Sequence, residues 1–339
     1  MYTPVDVWNR IDVVTPPIQA YGKRKQNLYE PPLMKFAMSN SIEVTTVPEE
    51  GIRSWLLPQH YQTPSPTNIL LTASFGHILP SSHLQMFESN RALNVHPSLL
   101  PKYRGASPIQ YALMNQDEIT GVSIQNLSDR GADTGALYKQ QEFAIPPNST
   151  FETLLSPLAT LGGELLVQTL EGLLAGTLES IPQTEVGKSR ARKISHELGA
   201  LNWNKLNASM VYARYRAISH QQSLHTFLPP APLTPSSHSS DVILTGLFDI
   251  SLPPAPVPFP TKSSQQPSSK TDLLPGQTFY SKAQNALVVQ TVSGQVLVGS
   301  VHVAKRSNRV DARQAWLGWK DQGRITDGFV QFVSPPGSE

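Results

Sequence analysis

The sequence predicts an α/β domain followed by a small β-barrel domain. Three observations predict it. Through residue 174, short apolar runs ending in Pro or Gly alternate with segments of helical apolar spacing. An amide and an imidazole, Asn94 and His96, stand one residue apart where a strand must give way to a proline-broken loop. After residue 240, strand-like runs dominate, with Ser293-Gly294 as a hairpin turn and one closing helix.

Each element has its own justification. Residues 11–14 form a short apolar strand that leaves into Pro16-Pro17. Residues 20–29, AYGKRKQNLY, read as a loop carrying Lys23, Arg24 and Lys25. A helix is expected over 31–38 and a strand over 42–47. Residues 69–73, ILLTA, read as a buried strand. It ends in Ser74-Phe75-Gly76-His77-Ile78-Leu79-Pro80, where Phe75 and Ile78 suit core packing and His77 suits a surface loop. Ser107-Pro108 opens a helix with an N-cap and an N1 proline. Strands follow over 122–127 and 138–142. Eight leucines from Leu154 to Leu173 give an amphipathic helix over 150–174, interrupted by Gly162-Gly163. Residues 181–204 read as a basic linker, and 206–218 as a helix. Residues 229–240 and 252–270 are Pro/Ser-rich and too broken by proline to build a core. Strands are expected over 242–250, 277–279, 286–292 and 295–305, and the last helix over 311–319.

Composition excludes some classes of function. The 339 residues contain no Cys, which rules out disulfides and thiolate metal sites. No metal site is expected. No apolar run approaches the roughly 20 residues of a membrane span, and no membrane role is expected. A net charge of +2 does not by itself indicate nucleic acid. The 30 prolines are the anomaly, and they are concentrated.

The chemistry is concentrated in LNVHPSLLPKYRGASPIQY (93–111) and DRGADTGALY (129–138). On a strand, residues i and i+2 share a face. Asn94 and His96 therefore project side by side, with Val95 turned into the core. Asp133, between Gly131 and Gly135, is the candidate to complete a trio, and Asp129 is the alternative acid. An Asn N–H can donate to a developing oxyanion. A His can donate to the same oxygen or take a proton. A neighbouring Asp favours imidazolium and can accept a proton. With no Cys and no Ser nucleophile elbow, the trio suits direct attack by a substrate nucleophile on a carbonyl.

The runs NVHPSLLPKYRGASPIQ and TGVSIQNLSDRGADTGALY resemble the folate-dependent formyltransferases, and within that superfamily the methionyl-tRNA formyltransferase family. The resemblance covers roughly residues 11–228 and 275–325. It implies a Rossmann-like formyltransferase domain with a mainly parallel sheet over 1–180, a basic linker over 181–204, and an OB-like β-barrel over 205–339. A Pro/Ser-rich insertion falls at about 229–275. The family's usual first strand, turn and helix have no counterpart before residue 11, so the catalytic domain is expected to be short at its N-terminus. The resemblance implies catalysis by Asn94, His96 and Asp133. It implies folate contacts by Phe75, Gly76, Ile78 and Leu79, and by the turn Ser98, Leu99, Leu100 and Pro101. The co-substrate implied is 10-formyltetrahydrofolate. The acceptor implied is initiator methionyl-tRNA, held by Lys23, Arg24, Lys25, Lys188, Arg190, Arg192, Lys193, Lys305 and Arg306. A monomer in the mitochondrial matrix, of fungal type, completes the expectation.

Overall fold

A computed structural model describes residues 8–21, 26–230, 242–259, 273–304 and 308–335. The chain divides into two compact units that interleave along the sequence. The first comprises Met1–His96, Ser123–Gln140 and Leu165–Thr184. The second comprises Pro97–Val122, Gln141–Glu164 and Glu185–Glu339.

In the first unit, β1 (Asp12–Thr15) is followed by a short antiparallel pair, β2 (Gln19–Tyr21) and β3 (Asn27–Tyr29), with Gln19 opposite Tyr29. The stretch expected to be a loop is therefore flanked by hairpin strands. Lys23, Arg24 and Lys25 lie outside the described residues. Helix α1 (Pro32–Ser39) leads to β4 (Glu43–Thr46), which pairs parallel with β1 from Asp12↔Glu43 to Thr15↔Thr46. A second sheet begins with β5 (Leu70–Ala73), passes α2 (Ser81–Leu84), and continues with β6 (Ala92–His96) parallel to β5. Next in the chain are α3 (Pro108–Met114), β7 (Ile119–Asn126) and β8 (Leu137–Ala144), giving the sheet order β5-β6-β7-β8.

The Rossmann-like α/β class stands, with strand pairing that is mixed where a mainly parallel sheet was expected. The parallel pairs β1–β4 and β5–β6 belong to separate sheets, and β7 pairs antiparallel with β6. Two burial expectations also change. β5 is bonded on one side only, so it is half-buried rather than internal, and Leu71 is 44% exposed. Val95 is also only half-buried, whereas Leu93, on the same strand face, is fully buried. The apolar core of this unit is Val47, Ile52, Trp55, Leu57, Phe87 and Ala92. Val14 from β1 and Leu70 from β5 both pack against it.

The second unit contains α3 and a curled antiparallel sheet. Ser107 stands at the N-cap of α3, but its side chain makes no capping bond. Its backbone N–H instead donates to the Ala191 carbonyl at 3.2 Å. Helix α4 (Phe151–Leu174) is continuous for 24 residues, straight through Gly162-Gly163 and Pro157. α5 (Ala208–Ile218) is capped by Asn207, whose side chain accepts from the Met210 N–H at 2.9 Å. β9 (Leu224–Leu228) has no counterpart in the sequence reading. Then come β10 (Ile243–Ser251), β11 (Gln277–Ser281), β12 (Ala286–Gln290), β13 (Gln295–Val303), β14 (Val310–Asp311), α6 (Ala312–Asp321) and β15 (Val330–Gln331). The sheet order is β15-β11-β12-β13-β10-β9, with β14 on β13. A bridge between Phe227 and Val333 draws the two end strands together.

Two stretches expected to be loose are tied down. In the linker, Arg190 bridges Arg104, and Ala191 is fully buried. A Cβ on Gly105 would lie 2.5 Å from the Ala191 carbonyl oxygen, so the close approach requires glycine. Trp203 is buried and donates its indole N–H to Thr226 at 2.8 Å. In the Pro/Ser-rich region, Val257 joins Phe279, Ala286, Val288 and Leu297 in a core cluster that Phe259 packs against. The Gln295 side chain makes this possible. It accepts from the Val257 N–H at 2.7 Å and donates to its carbonyl at 3.1 Å, satisfying a backbone that has no strand partner. Residues 231–241 and 260–272, from the same region, lie outside the described residues.

Asp12 anchors β1. Its carboxylate accepts from Arg10, from His60 at 2.8 Å and from the Tyr61 hydroxyl at 2.7 Å. The Arg10 guanidinium holds the Asp12 carboxyl well below the usual carboxylate range, against the opposing effect of burial. Burial and Asp12 together push the Tyr61 hydroxyl up to about 12. A depressed carboxyl contributes stability above its unfolded value of about 3.9, and that contribution fades as pH falls below it. Asp12→Asn should therefore cost about 1 kcal/mol in urea unfolding at pH 5–8. The difference from the parent chain should shrink below about pH 4.

Candidate active site

The first unit assembles a polar row across three strands. Thr72 on β5 lies opposite Asn94 on β6, and Asn94 lies opposite Gln125 on β7. One step along, His96 lies opposite Ser123. Residues directly opposite share a face, and so do residues two apart. Thr72, Asn94, His96, Gln125 and Ser123 therefore project from one face of the sheet. Asn94 and His96 do stand side by side, as the spacing requires.

The loop after β7 delivers Asp133 to this face. Asp133 adopts φ +58°, a left-handed conformation that Asp tolerates better than most residues. Gly131 at φ +140° and Gly135 bound the turn. A Cβ on Gly135 would fall 1.7 Å from the Asn126 carbonyl oxygen, so this position admits only glycine. The Thr134 hydroxyl donates to the Gly131 carbonyl at 2.8 Å, and the Asn126 N–H donates to Ala136 at 2.8 Å.

One carboxylate oxygen, Asp133 Oδ1, is the meeting point. Gln125 Nε2 donates to it at 2.7 Å, and Asn94 Nδ2 at 3.4 Å. His96 Nδ1 stands 3.5 Å away. The Thr72 hydroxyl donates to Asn94 Oδ1 at 2.8 Å, which turns the Asn94 N–H groups away from β5. His96 is 4% exposed and Gln125 is 1% exposed. The site is thus an amide donor and an imidazole beside an acid, in a setting that strengthens charge–dipole interactions. The structure brings Asp133 to Asn94 and His96, while Asp129 is solvent-exposed. Among the described residues, no group of three or more His, Cys, Asp or Glu side chains could hold a metal.

Comparison with known proteins gives the family. Residues 6–170 match the Formyl transferase family. The chain is 37% identical over 216 residues to a methionyl-tRNA formyltransferase of Syntrophus aciditrophicus (strain SB), covering 64% of this chain and 67% of that protein. It is 35% identical over 222 residues to the enzyme of that name from Dictyoglomus thermophilum, covering 66% and 69%. The chain belongs to the methionyl-tRNA formyltransferase family. A Staphylococcus aureus (strain MW2) relative is 36% identical over 209 residues, covering 62% of this chain and 65% of that protein. The chain thus spans about two thirds of the length of the curated relatives it matches. Among solved structures, HypX from Aquifex aeolicus in complex with tetrahydrofolic acid aligns with a TM-score of 0.54 at 16% identity, covering 91% of this chain and 47% of that one. An N-formyltransferase from Helicobacter canadensis, in complex with folinic acid and dTDP-3-aminofucose, gives 0.53 at 17% identity, covering 78% and 81%. At these identities the two structures show a shared fold.

The remaining candidates from the family pattern fall as follows. In the first unit, Phe75 and Leu79 pack against the core cluster, while Gly76, at φ +78°, and Ile78 are exposed. In the second unit, Ser98 and Leu100 are buried, and Leu99 and Pro101 are half-buried. The Ser98 hydroxyl donates to the Lys102 carbonyl at 2.6 Å and closes that turn. The turn is followed by a tight polar cluster in which Asp117 accepts from Lys102 at 2.8 Å and from the Tyr103 hydroxyl at 2.7 Å. Arg190, Arg192 and Lys193 are exposed, and Lys188 pairs with Glu185 at 2.7 Å. Lys305 and Arg306 lie outside the described residues.

Sequence reasoning missed Thr72, Gln125 and Gln183. The only signal was the alternation Val122, Ser123, Ile124, Gln125 on an otherwise apolar strand. The Gly135 contact yields a direct expectation. Gly135→Ala should displace the Asp133 loop and, if this site is where the chemistry occurs, reduce turnover on the order of 10²-fold, as a misplacement of about 1 Å does. Far-UV circular dichroism of the variant should remain close to that of the parent chain.

Proposed function

We propose that this chain transfers the formyl group of 10-formyltetrahydrofolate to the α-amino group of initiator methionyl-tRNA. The observation that carries the reading is the convergence of Asn94 and His96 on one carboxylate oxygen of Asp133. Family membership supplies the donor and the acceptor.

The neutral amine attacks the formyl carbon, and a C–N bond forms. The carbonyl electrons move onto oxygen, where Asn94 Nδ2 and a protonated His96 stabilise the charge. Asp133 faces Nδ1 of His96, which orients the ring. Asp133 also takes the proton that the attacking nitrogen must lose, directly or through water. The oxyanion then collapses back to a carbonyl as the bond from the formyl carbon to N10 of the folate breaks, and N10 gains the proton that Asp133 took, directly or through water. Folate contacts fall to the 75–79 loop and the 98–101 turn. The acceptor tRNA falls to the exposed Arg190, Arg192 and Lys193, to Lys188, and to the curled sheet read as an OB-like module. Lys23, Arg24, Lys25, Lys305 and Arg306 are assigned to the same track on the family pattern. The chain is read as a monomer serving mitochondrial translation initiation, supported by the family and by the Pro/Ser-rich insert.

The test is formylation of methionyl-tRNA by the purified chain with 10-formyltetrahydrofolate. Asn94→Ala should lower kcat about 10²–10³-fold, and His96→Ala at least as much. Wild-type turnover in either variant would remove the oxyanion role. Formylation of a small amine with no dependence on tRNA would replace the acceptor.

A further inference from the structure

Gln125 and Gln183 surround Asp133 in a way the three-residue chemistry does not use. Gln125 Nε2 lies 2.7 Å from Asp133 Oδ1, closer than either Asn94 or His96. Gln183 Nε2 lies 2.7 Å from the Gly135 carbonyl, 3.0 Å from the Asp133 carbonyl and 3.3 Å from Gln125 Oε1. The polarity of both amides follows from chemistry. Backbone carbonyls only accept, so the end of Gln183 facing them is its NH2 group. That NH2 in turn requires the carbonyl end of Gln125. The other end of Gln125, an NH2, is therefore left facing an acceptor-only carboxylate.

We infer that Gln125 is a positioning residue for formyl transfer: it anchors the Asp133 carboxylate beside His96, and Gln183 sets the orientation of the Gln125 amide. The inference rests on the formyl-transfer reading of the site. The Gln125 side chain is almost fully buried and spends its N–H on Asp133, so its action is assigned to that carboxylate. A charge-assisted bond of this length is among the stronger hydrogen bonds available to an uncharged donor. It draws Oδ1 toward β7 and leaves His96 Nδ1 at 3.5 Å. Without it, Asp133 Oδ1 is left in the Thr72–Asn94–Gln125 row with the longer, 3.4 Å bond from Asn94, a weaker hold on the carboxylate's position. The Gln183 bonds to the Asp133 and Gly135 carbonyls hold the backbone of the same loop, so loop and carboxylate are fixed by one connected pair of amides.

The experiment uses the full chain with Gln125→Met, Gln125→Glu and Gln183→Met. Methionine keeps the volume and removes the donor. Glutamate keeps the shape and sets a second carboxylate against Asp133. Steady-state formylation should show kcat reduced about 10–10²-fold in Gln125→Met. The loss should be larger in Gln125→Glu and smaller in Gln183→Met, with KM for folate and tRNA within about twofold of the parent. Beside this, the ring 15N resonances of His96 are read at one fixed pH in each folded variant. They should move in both Gln125 variants, although Gln125 sits across the strand pair, and this readout does not need turnover. A parent chain that fails to formylate, with His96 signals that still move, would overturn the formyl-transfer reading and leave the positioning role supported. Unchanged kcat with unmoved His96 signals would overturn the positioning role. A raised KM at unchanged kcat would also overturn it, by placing Gln125 in substrate binding.

Discussion

A single carboxylate oxygen, Asp133 Oδ1, is shared among an amide on β7, an amide on β6 and an imidazole on β6. Taking a carboxylate out of water is costly unless donors replace the lost solvent. Here the replacement donors come from two neighbouring strands, and their spacing is fixed by strand register. The glycine-bounded loop must then place the acid over that register and nowhere else. Sheet register and loop geometry are thus parts of one constraint on where the acid sits.

The second unit solves a related problem by other means. The turn from Ser98 to Pro101 is followed by Tyr103, a bulky residue held at φ +62°. Such a conformation persists only when its surroundings determine it. Asp117 accepts from the Tyr103 hydroxyl and from Lys102, Asn115 donates to the same hydroxyl at 2.8 Å, and the Tyr103 N–H donates to Ser189 at 2.9 Å. Burial pushes the Tyr103 hydroxyl up, so it remains a donor across the ordinary pH range. The run after β6 is therefore held by side-chain bonds and not by a ladder.

What the sequence made legible was local. The i, i+2 spacing of Asn94 and His96, the prolines that end β6, and the two glycines around Asp133 each follow from backbone geometry within a few residues. What it hid was set by pairing between distant segments. Nothing near Thr72 or Gln125 announces that both lie in the row of Asn94, because strand register is a property of two chains side by side. The exposed Leu71 was hidden for the same reason, since an apolar run does not say whether both of its edges are covered. Val257 looked unable to join a core because its neighbours are prolines, yet Gln295, 38 residues on, supplies the hydrogen bonds its backbone lacks. The family resemblance could extend to residues with a recognised motif, but not to the glutamines that support them.

The clasp between Gln295 and Val257 also governs how the gene can change. Phe259 and Leu273 pack against the same apolar cluster, so the points where residues 260–272 depart and return are both pinned to the sheet. Any change of sequence between these endpoints must therefore keep Phe259 and Leu273 against the cluster and the Gln295 bonds that hold Val257.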